Sequence, residues 1–151
     1  MTDSLRKAWA EFLRPLLKRP PRLQVAALCF RETTKDKKVL LVTSRDTGRW
    51  IIPKGWPIDG KDAAGAAMQE AWEEAGVREG NISASIGSYA YDKELSTGLP
   101  VPVETLVFPV EVTQLEDDFP EADQRRRKWV SPEKAANMVR EPELQEILRT
   151  L

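Results

Sequence analysis

The sequence predicts an α/β fold in which one mixed β-sheet is covered by helices. Three observations carry that expectation. Two apolar runs, LQVAALCF at 23–30 and KVLLVT at 38–43, have the length and composition of buried strands. A later run, VETLVFPVEV at 103–112, alternates as strands do. Helical patterns with marked starts and stops lie between and after these runs, and strands mixed with few helices pack most simply as one sheet with helical cover.

The elements follow in order. Residues 3–18 place Leu5, Ala8, Trp9, Phe12, Leu13, Leu16 and Leu17 at helical spacing. Pro15 should kink or end this amphipathic helix, and Pro20-Pro21 closes it off, so residues 1–21 read as a helix with linker and 22–151 as the main domain. Its Trp9–Phe12–Leu16 stripe could pack on the domain or bury itself in a homodimer. The two strands at 23–30 and 38–43 flank a polar turn, and Trp50 to Pro53 reads as a short third strand stopped by proline. Ala63 to Ala75 is a helix with Asp62 as N-cap and Gly76 as the left-handed residue past its end. Ile82 to Tyr91 and Val103 to Val112 are strands separated by a Gly/Pro loop, with Pro109 expected at an edge or bulge. An acidic loop at 115–124 leads to a strand at 125–130. Ser131-Pro132-Glu133 opens the next helix, and a last one begins near Pro142.

Composition narrows the function. With 151 residues, 41% hydrophobic and 31% charged, the chain fits one soluble domain. A net charge of −1 gives no global field toward nucleic acid or membrane. No run reaches the roughly 18 apolar residues of a membrane span. The single cysteine, Cys29, lies in an apolar run and fits a reducing cytoplasm. With no histidine, Ser-His and Cys-His nucleophiles and histidine metal sites are excluded.

On the helix at 63–75, Glu70, Glu73 and Glu74 fall at i, i+3 and i+4, one face and one turn deep. Three carboxylates so crowded suit a hard divalent cation, although solvated helix faces carry such clusters too. Gly55 ahead of the helix permits close backbone approach to a ligand. Trp50 and Trp129 read as core or loop-buttressing residues, Trp72, off the carboxylate face, as a core residue, and Trp56 either packs its loop or stacks on a ligand.

With these residues the chain resembles the Nudix hydrolases, whose box reads G, five residues, E, seven residues, R-E-U-x-E-E-x-G-U, with U hydrophobic. Gly55, Glu70, Ala71, Glu73, Glu74, Gly76 and Val77 fall on it. Five fixed Gly and Glu matches arise by chance about once in a million windows. Lys61 and Gln69 stand where the family has glutamate and arginine, so the lock between loop and helix is altered. VLLVTSRDTGRWIIPKG at 39–55 and RRRKWVSPEKAA at 125–136 are similar to the diphosphoinositol polyphosphate phosphohydrolase branch.

The resemblance implies an α/β/α sandwich and a pyrophosphohydrolase using Mg²⁺ or Mn²⁺. It implies Glu70, Glu74 and the Lys54 carbonyl as metal ligands and Glu73 as the general base or the residue that orients the attacking water. Since some members use a base outside the box, Glu121 and Glu104 are the alternative candidates. Arg22, Ser44, Arg45 and Arg125 or Arg126 match phosphate-contacting positions, as guanidinium forks would suit. On a strand only alternate residues of the RRRK run can share a ligand. A phosphorylated small molecule is the expected substrate, with diphosphoinositol and dinucleoside polyphosphates foremost. An RNA 5′-pyrophosphohydrolase is the rival within the class, made less favoured by the absence of a basic aromatic stripe. A catalytically silent ligand-binding module is the rival outside it.

Overall fold

The computed structural model describes residues 22–94 and 98–151. The helix expected at 3–18, and with it the homodimer contact, lies outside the described residues. Eight strands form one sheet: β1 (Arg22–Glu32), β2 (Lys37–Thr43), β3 (Trp50–Ile51), β4 (Lys54–Gly55), β5 (Val77–Ile82), β6 (Gly87–Glu94), β7 (Pro100–Leu115) and β8 (Arg127–Val130). Helix α1 (Ala63–Ala75) precedes β5, and α2 (Pro132–Met138) and α3 (Pro142–Arg149) follow β8.

The sheet is mixed, with order β3-β2-β1-β7-β5. β1 and β7 run parallel at its centre from Arg22 opposite Val103 to Phe30 opposite Glu111. β2, β4, β5, β6 and β8 add antiparallel pairings around them.

Period-2 alternation along the central strands builds two cores. Val25, Ala27 and Cys29 of β1 join Leu40, Val42, Phe108, Val110 and the alanines of α1. Ala26 and Leu28 join Val39, Leu41, Val107 and the α2–α3 pair through Ala135, Ala136, Leu144 and Leu148. Helices on both faces make the α/β/α sandwich. Ala66, Ala67, Ala71 and Ala75 are wholly buried, so α1 presents mostly small side chains to the sheet. Burial pushes the Cys29 thiol up to about 12, which leaves it an inert small hydrophobe. No described helix is long and apolar enough to cross a membrane.

The caps of α1 form where the residues indicate. The Asp62 carboxylate accepts the Gly65 amide at 2.7 Å. Gly76 takes φ +75° and returns its amide to Ala71 and Trp72 carbonyls. A β-carbon at Gly76 would also stand 2.4 Å from the Glu116 carbonyl, so both conformation and space require glycine.

Three expectations change. The strand expected at 82–91 is two strands, because the chain turns at Gly76 straight into β5 and leaves the sheet before restarting at Gly87. Pro109 lies in a central strand rather than at an edge. Its carbonyl accepts the Ser83 amide, so its missing N–H faces the stretch where the neighbour changes from β5 to β6 and no strand partner stands. Trp72 is half-buried rather than core, with the Arg78 guanidinium 4.8 Å above its ring.

Candidate active site

The C-terminal half of α1 and the β4 turn meet at a cleft of about 560 Å³. It is lined by Glu70, Glu73, Glu74 and Glu121, and by Ser44, Arg45, Lys54, Trp56, Lys93 and Arg125 among others. Register explains how the parts meet. β4 pairs with β1 at Val25–Gly55 and Ala26–Lys54, which pins the turn beside the last turns of α1.

Gly55 leaves the Glu70 carboxylate its space, since a β-carbon there would come within 2.3 Å of the Glu70 carboxyl carbon. Glu74 is 3% exposed and accepts the Lys54 amide at 3.2 Å. Glu73 accepts the Gln69 side-chain amide at 2.7 Å, one helical turn away. The acidic loop returns to the helix where the Glu121 amide donates 3.0 Å to the Glu73 carbonyl.

Burial, then the neighbouring glutamates Glu74, Glu73 and Glu121, push the Glu70 carboxyl up to about 7 against the pull of Arg125. Burial likewise raises Glu74 to about 7, opposed by Arg125 and the Lys54 amide. Lys54 is lowered by burial, with Glu74 opposing that change. Its ammonium lies 4.9 Å over the Tyr91 ring.

Arg125 sits among the acids. Its Nη2 is 3.2 Å from Glu74 and 3.1 Å from Glu121, and its Nη1 donates 2.9 Å to the Thr43 carbonyl. Arg45 reaches Glu121 from the exposed side at 3.3 Å. The donor set fits a hard divalent ion, being all carboxylate with space left by Gly55. As the side chains stand, no three acidic groups among the described residues already converge on one point.

The NUDIX domain family profile matches residues 20–151. The chain belongs to the NUDIX domain family. It is 31% identical over 118 residues to diphosphoinositol polyphosphate phosphohydrolase 3-alpha of Mus musculus, covering 77% of this chain and 68% of that one. The human 3-beta protein is 30% identical over the same shares. In structure the chain is similar to an Ap4A hydrolase from C. elegans, with TM-score 0.61, 22% identity and coverage of 86% and 95%. It is also similar to the E. coli dihydroneopterin triphosphate pyrophosphohydrolase, with TM-score 0.67, 16% identity and coverage of 88% and 97%. These two likenesses establish the Nudix fold. Family and relatives together make the chain a Nudix-type pyrophosphohydrolase.

The Nudix fold does not gather every residue singled out from the sequence. Glu104 is exposed on β7, where it accepts the Ser88 hydroxyl at 3.1 Å, and it does not line the cleft. Arg22 is exposed at the start of β1 and lies outside the lining too. Arg126 points away, its guanidinium 5.5 Å over Trp50. Arg125 precedes β8, so strand alternation does not set its direction. Ser44 lines the cleft while its hydroxyl pairs with Thr47 at 2.7 Å and accepts the Arg49 amide.

Lys61 and Gln69 depart from the box differently. Lys61 is exposed in a separate surface groove, whereas Gln69 keeps a hold on Glu73 with one amide. Sequence reasoning missed Lys93, which lines both this cleft and an adjoining cavity of about 450 Å³ containing Arg49 and Arg140. It also missed the Arg49–Glu141 ion pair at 2.5 Å, whose acid is 4% exposed. No motif marks either one.

Proposed function

We propose that this enzyme hydrolyses a phosphoric anhydride bond of a polyphosphorylated small molecule with the help of Mg²⁺ or Mn²⁺. Diphosphoinositol polyphosphates are the favoured substrates, with dinucleoside polyphosphates next. The observation that carries the reading is a single cleft lined by Glu70, Glu73, Glu74 and Glu121 together with the cations Arg45, Lys54, Lys93 and Arg125. Acids and cations sharing one cleft suit a pyrophosphate that must be gripped at one end and attacked at the other. Named substrates of the relatives support the choice of diphosphoinositol polyphosphate.

Glu70, Glu74 and the Lys54 carbonyl would hold the ion. When bound, it offsets the charge that builds on phosphate oxygens and makes an attacking water more acidic. The chain's own residues do the rest. Glu73 orients that water and accepts its proton, and the Gln69 amide on one of its oxygens fixes the carboxylate plane while leaving the other oxygen free. Glu121 suits the base role less, because one of its oxygens already serves two arginines. Arg45 and Lys93 hold substrate phosphates in the cleft, with Ser44 shaping the loop that carries Arg45.

A purified-protein screen with identified products tests the reading, using diphosphoinositol polyphosphates, dinucleoside polyphosphates, nucleotide sugars and capped or triphosphorylated RNA. Hydrolysis that requires Mg²⁺ or Mn²⁺ and disappears in Glu73→Gln and Glu74→Gln is the expected result. Metal binding with no turnover across the panel would favour the silent module, a reading consistent with Arg125 already occupying Glu74.

A further inference from the structure

Arg125 and a divalent ion lay claim to the same carboxylate. The Arg125 side chain is 7% exposed, and its Nη2 lies 3.2 Å from Glu74 Oε2. A guanidinium cannot shed its charge, so it serves Glu74 as a permanent counter-ion. The other Glu74 oxygen is taken as well, by the Lys54 amide at 3.2 Å. Resting on the metal-dependent reading above, we infer that Arg125 holds the place of the ion in the free protein, and is drawn off Glu74 onto substrate phosphate when ion and pyrophosphate bind together.

The anchoring of Arg125 allows such a transfer. Leaving Glu74 does not cast the guanidinium adrift, since Thr43 carbonyl holds Nη1 at 2.9 Å and Glu121 holds Nε at 3.3 Å. Both Arg125 and Glu121 line the cleft, so a small shift about these two anchors turns Nη2 from Glu74 toward an arriving phosphate oxygen.

Charge makes the two events interdependent. An ion entering alone sets a double positive charge beside a fixed single one in a partly buried place, and repulsion weakens its hold. An ion entering with pyrophosphate brings compensating negative charge and gives Arg125 a new partner. Metal and substrate therefore bind with positive coupling, and coupling of this kind is reciprocal.

Mn²⁺ binding to the full chain, followed by electron paramagnetic resonance with and without imidodiphosphate, tests the inference without turnover. In the native protein the analogue should tighten Mn²⁺ about ten-fold or more, and Arg125→Met should bind Mn²⁺ about ten-fold tighter without it. The analogue's effect in that variant should shrink to about three-fold or less. Arg125→Lys keeps the charge and should bind free Mn²⁺ within about three-fold of native, which guards against misreading a misfolded methionine variant. In the native protein, the Arg125 Nε–H resonance should move on adding Mg²⁺ with imidodiphosphate and stay put with Mg²⁺ alone. If Arg125→Met binds Mn²⁺ no tighter while the analogue still tightens the native protein, Arg125 is only a structural partner and the inference fails. If no form binds Mn²⁺ even with the analogue, the metal-dependent reading falls, and this one with it.

Discussion

Alanine at Gly55 separates the ligand role of Glu70 from its contribution to folding. The new β-carbon would stand 2.3 Å from the Glu70 carboxyl carbon and 2.4 and 2.8 Å from its oxygens, where ordinary contact needs at least 3.4 Å. A shift of about 1 Å or more is therefore forced. Gly55 is not among the glycines with positive φ, so the main chain tolerates alanine. What yields is the far end of a flexible, half-buried glutamate. Pushing it off its rotamer costs about 1 kcal/mol. In a chain of this size that lowers Tm by about 3 °C. Catalysis suffers far more, because misplacing a reacting or ligating group by about 1 Å costs on the order of a hundred-fold in rate. Gly55→Ala should thus lose about two decades in kcat/KM at saturating Mg²⁺ and bind Mn²⁺ more weakly, with a nearly native melt. Activity within about three-fold of native would refute a ligand role for Glu70. A collapse in Tm would show instead that the backbone, not the side chain, absorbs the clash.

Three other outcomes follow from the same geometry. Glu70 and Glu74 have folded values near 7 against an ordinary 4.5, so between those pH values the native state keeps protons the unfolded chain has released. Metal-free stability from these groups is full below pH 4.5 and falls as pH rises to about 7, by about 3 kcal/mol for Glu74 and less for the half-exposed, solvent-screened Glu70. Melts in EDTA at pH 5 and 7.5, compared with Glu74→Gln, should show this loss and its partial reversal by Mg²⁺; a native-minus-variant difference that grows with pH would contradict it. Glu73→Gln should lower kcat by about a thousand-fold or more, whereas Glu104→Gln should leave it unchanged, and equal losses would return Glu104 to the base role. Arg49→Met strands the buried Glu141 carboxylate and should cost about 3–5 kcal/mol in urea unfolding, an expectation that a change under 1 kcal/mol would overturn.

Much of the sandwich and its site can be read from residue spacing, and the exceptions have identifiable causes. Glu70, Glu73 and Glu74 are legible because helical periodicity alone puts them on one face. Asp62 and Gly76 are legible because caps need particular chemistry. β5 is not, since VREGNI mixes charge, glycine and asparagine and lacks a buried-strand pattern. Its Gly80 has a packing cause invisible in sequence: a β-carbon there would meet Val110 at 2.7 Å. Glu104 and Glu121 look alike as acids outside the box. Only the return of the acidic loop onto Glu73 tells them apart. Arg125 is the instructive case, because its neighbours come from a turn and from elements some fifty and eighty residues away.

The parallel pairing of β1 with β7 has a consequence for how the enzyme is made. Partners such as Arg22 and Val103 are roughly eighty residues apart, and the β4 turn and α1, which carry the acids, lie inside the loop they close. Closing so long a loop costs entropy before any central contact repays it. As the chain leaves the ribosome, the β1 edge that pairs with β7 keeps its backbone amides and carbonyls unpartnered until β7 has been synthesised. Until that moment the helix bearing the glutamates can lie only against the incomplete sheet of β1 to β4. The cleft is therefore completed late, since Glu121 also follows β7, and a nascent chain stalled before β7 should bind metal more weakly than the full chain.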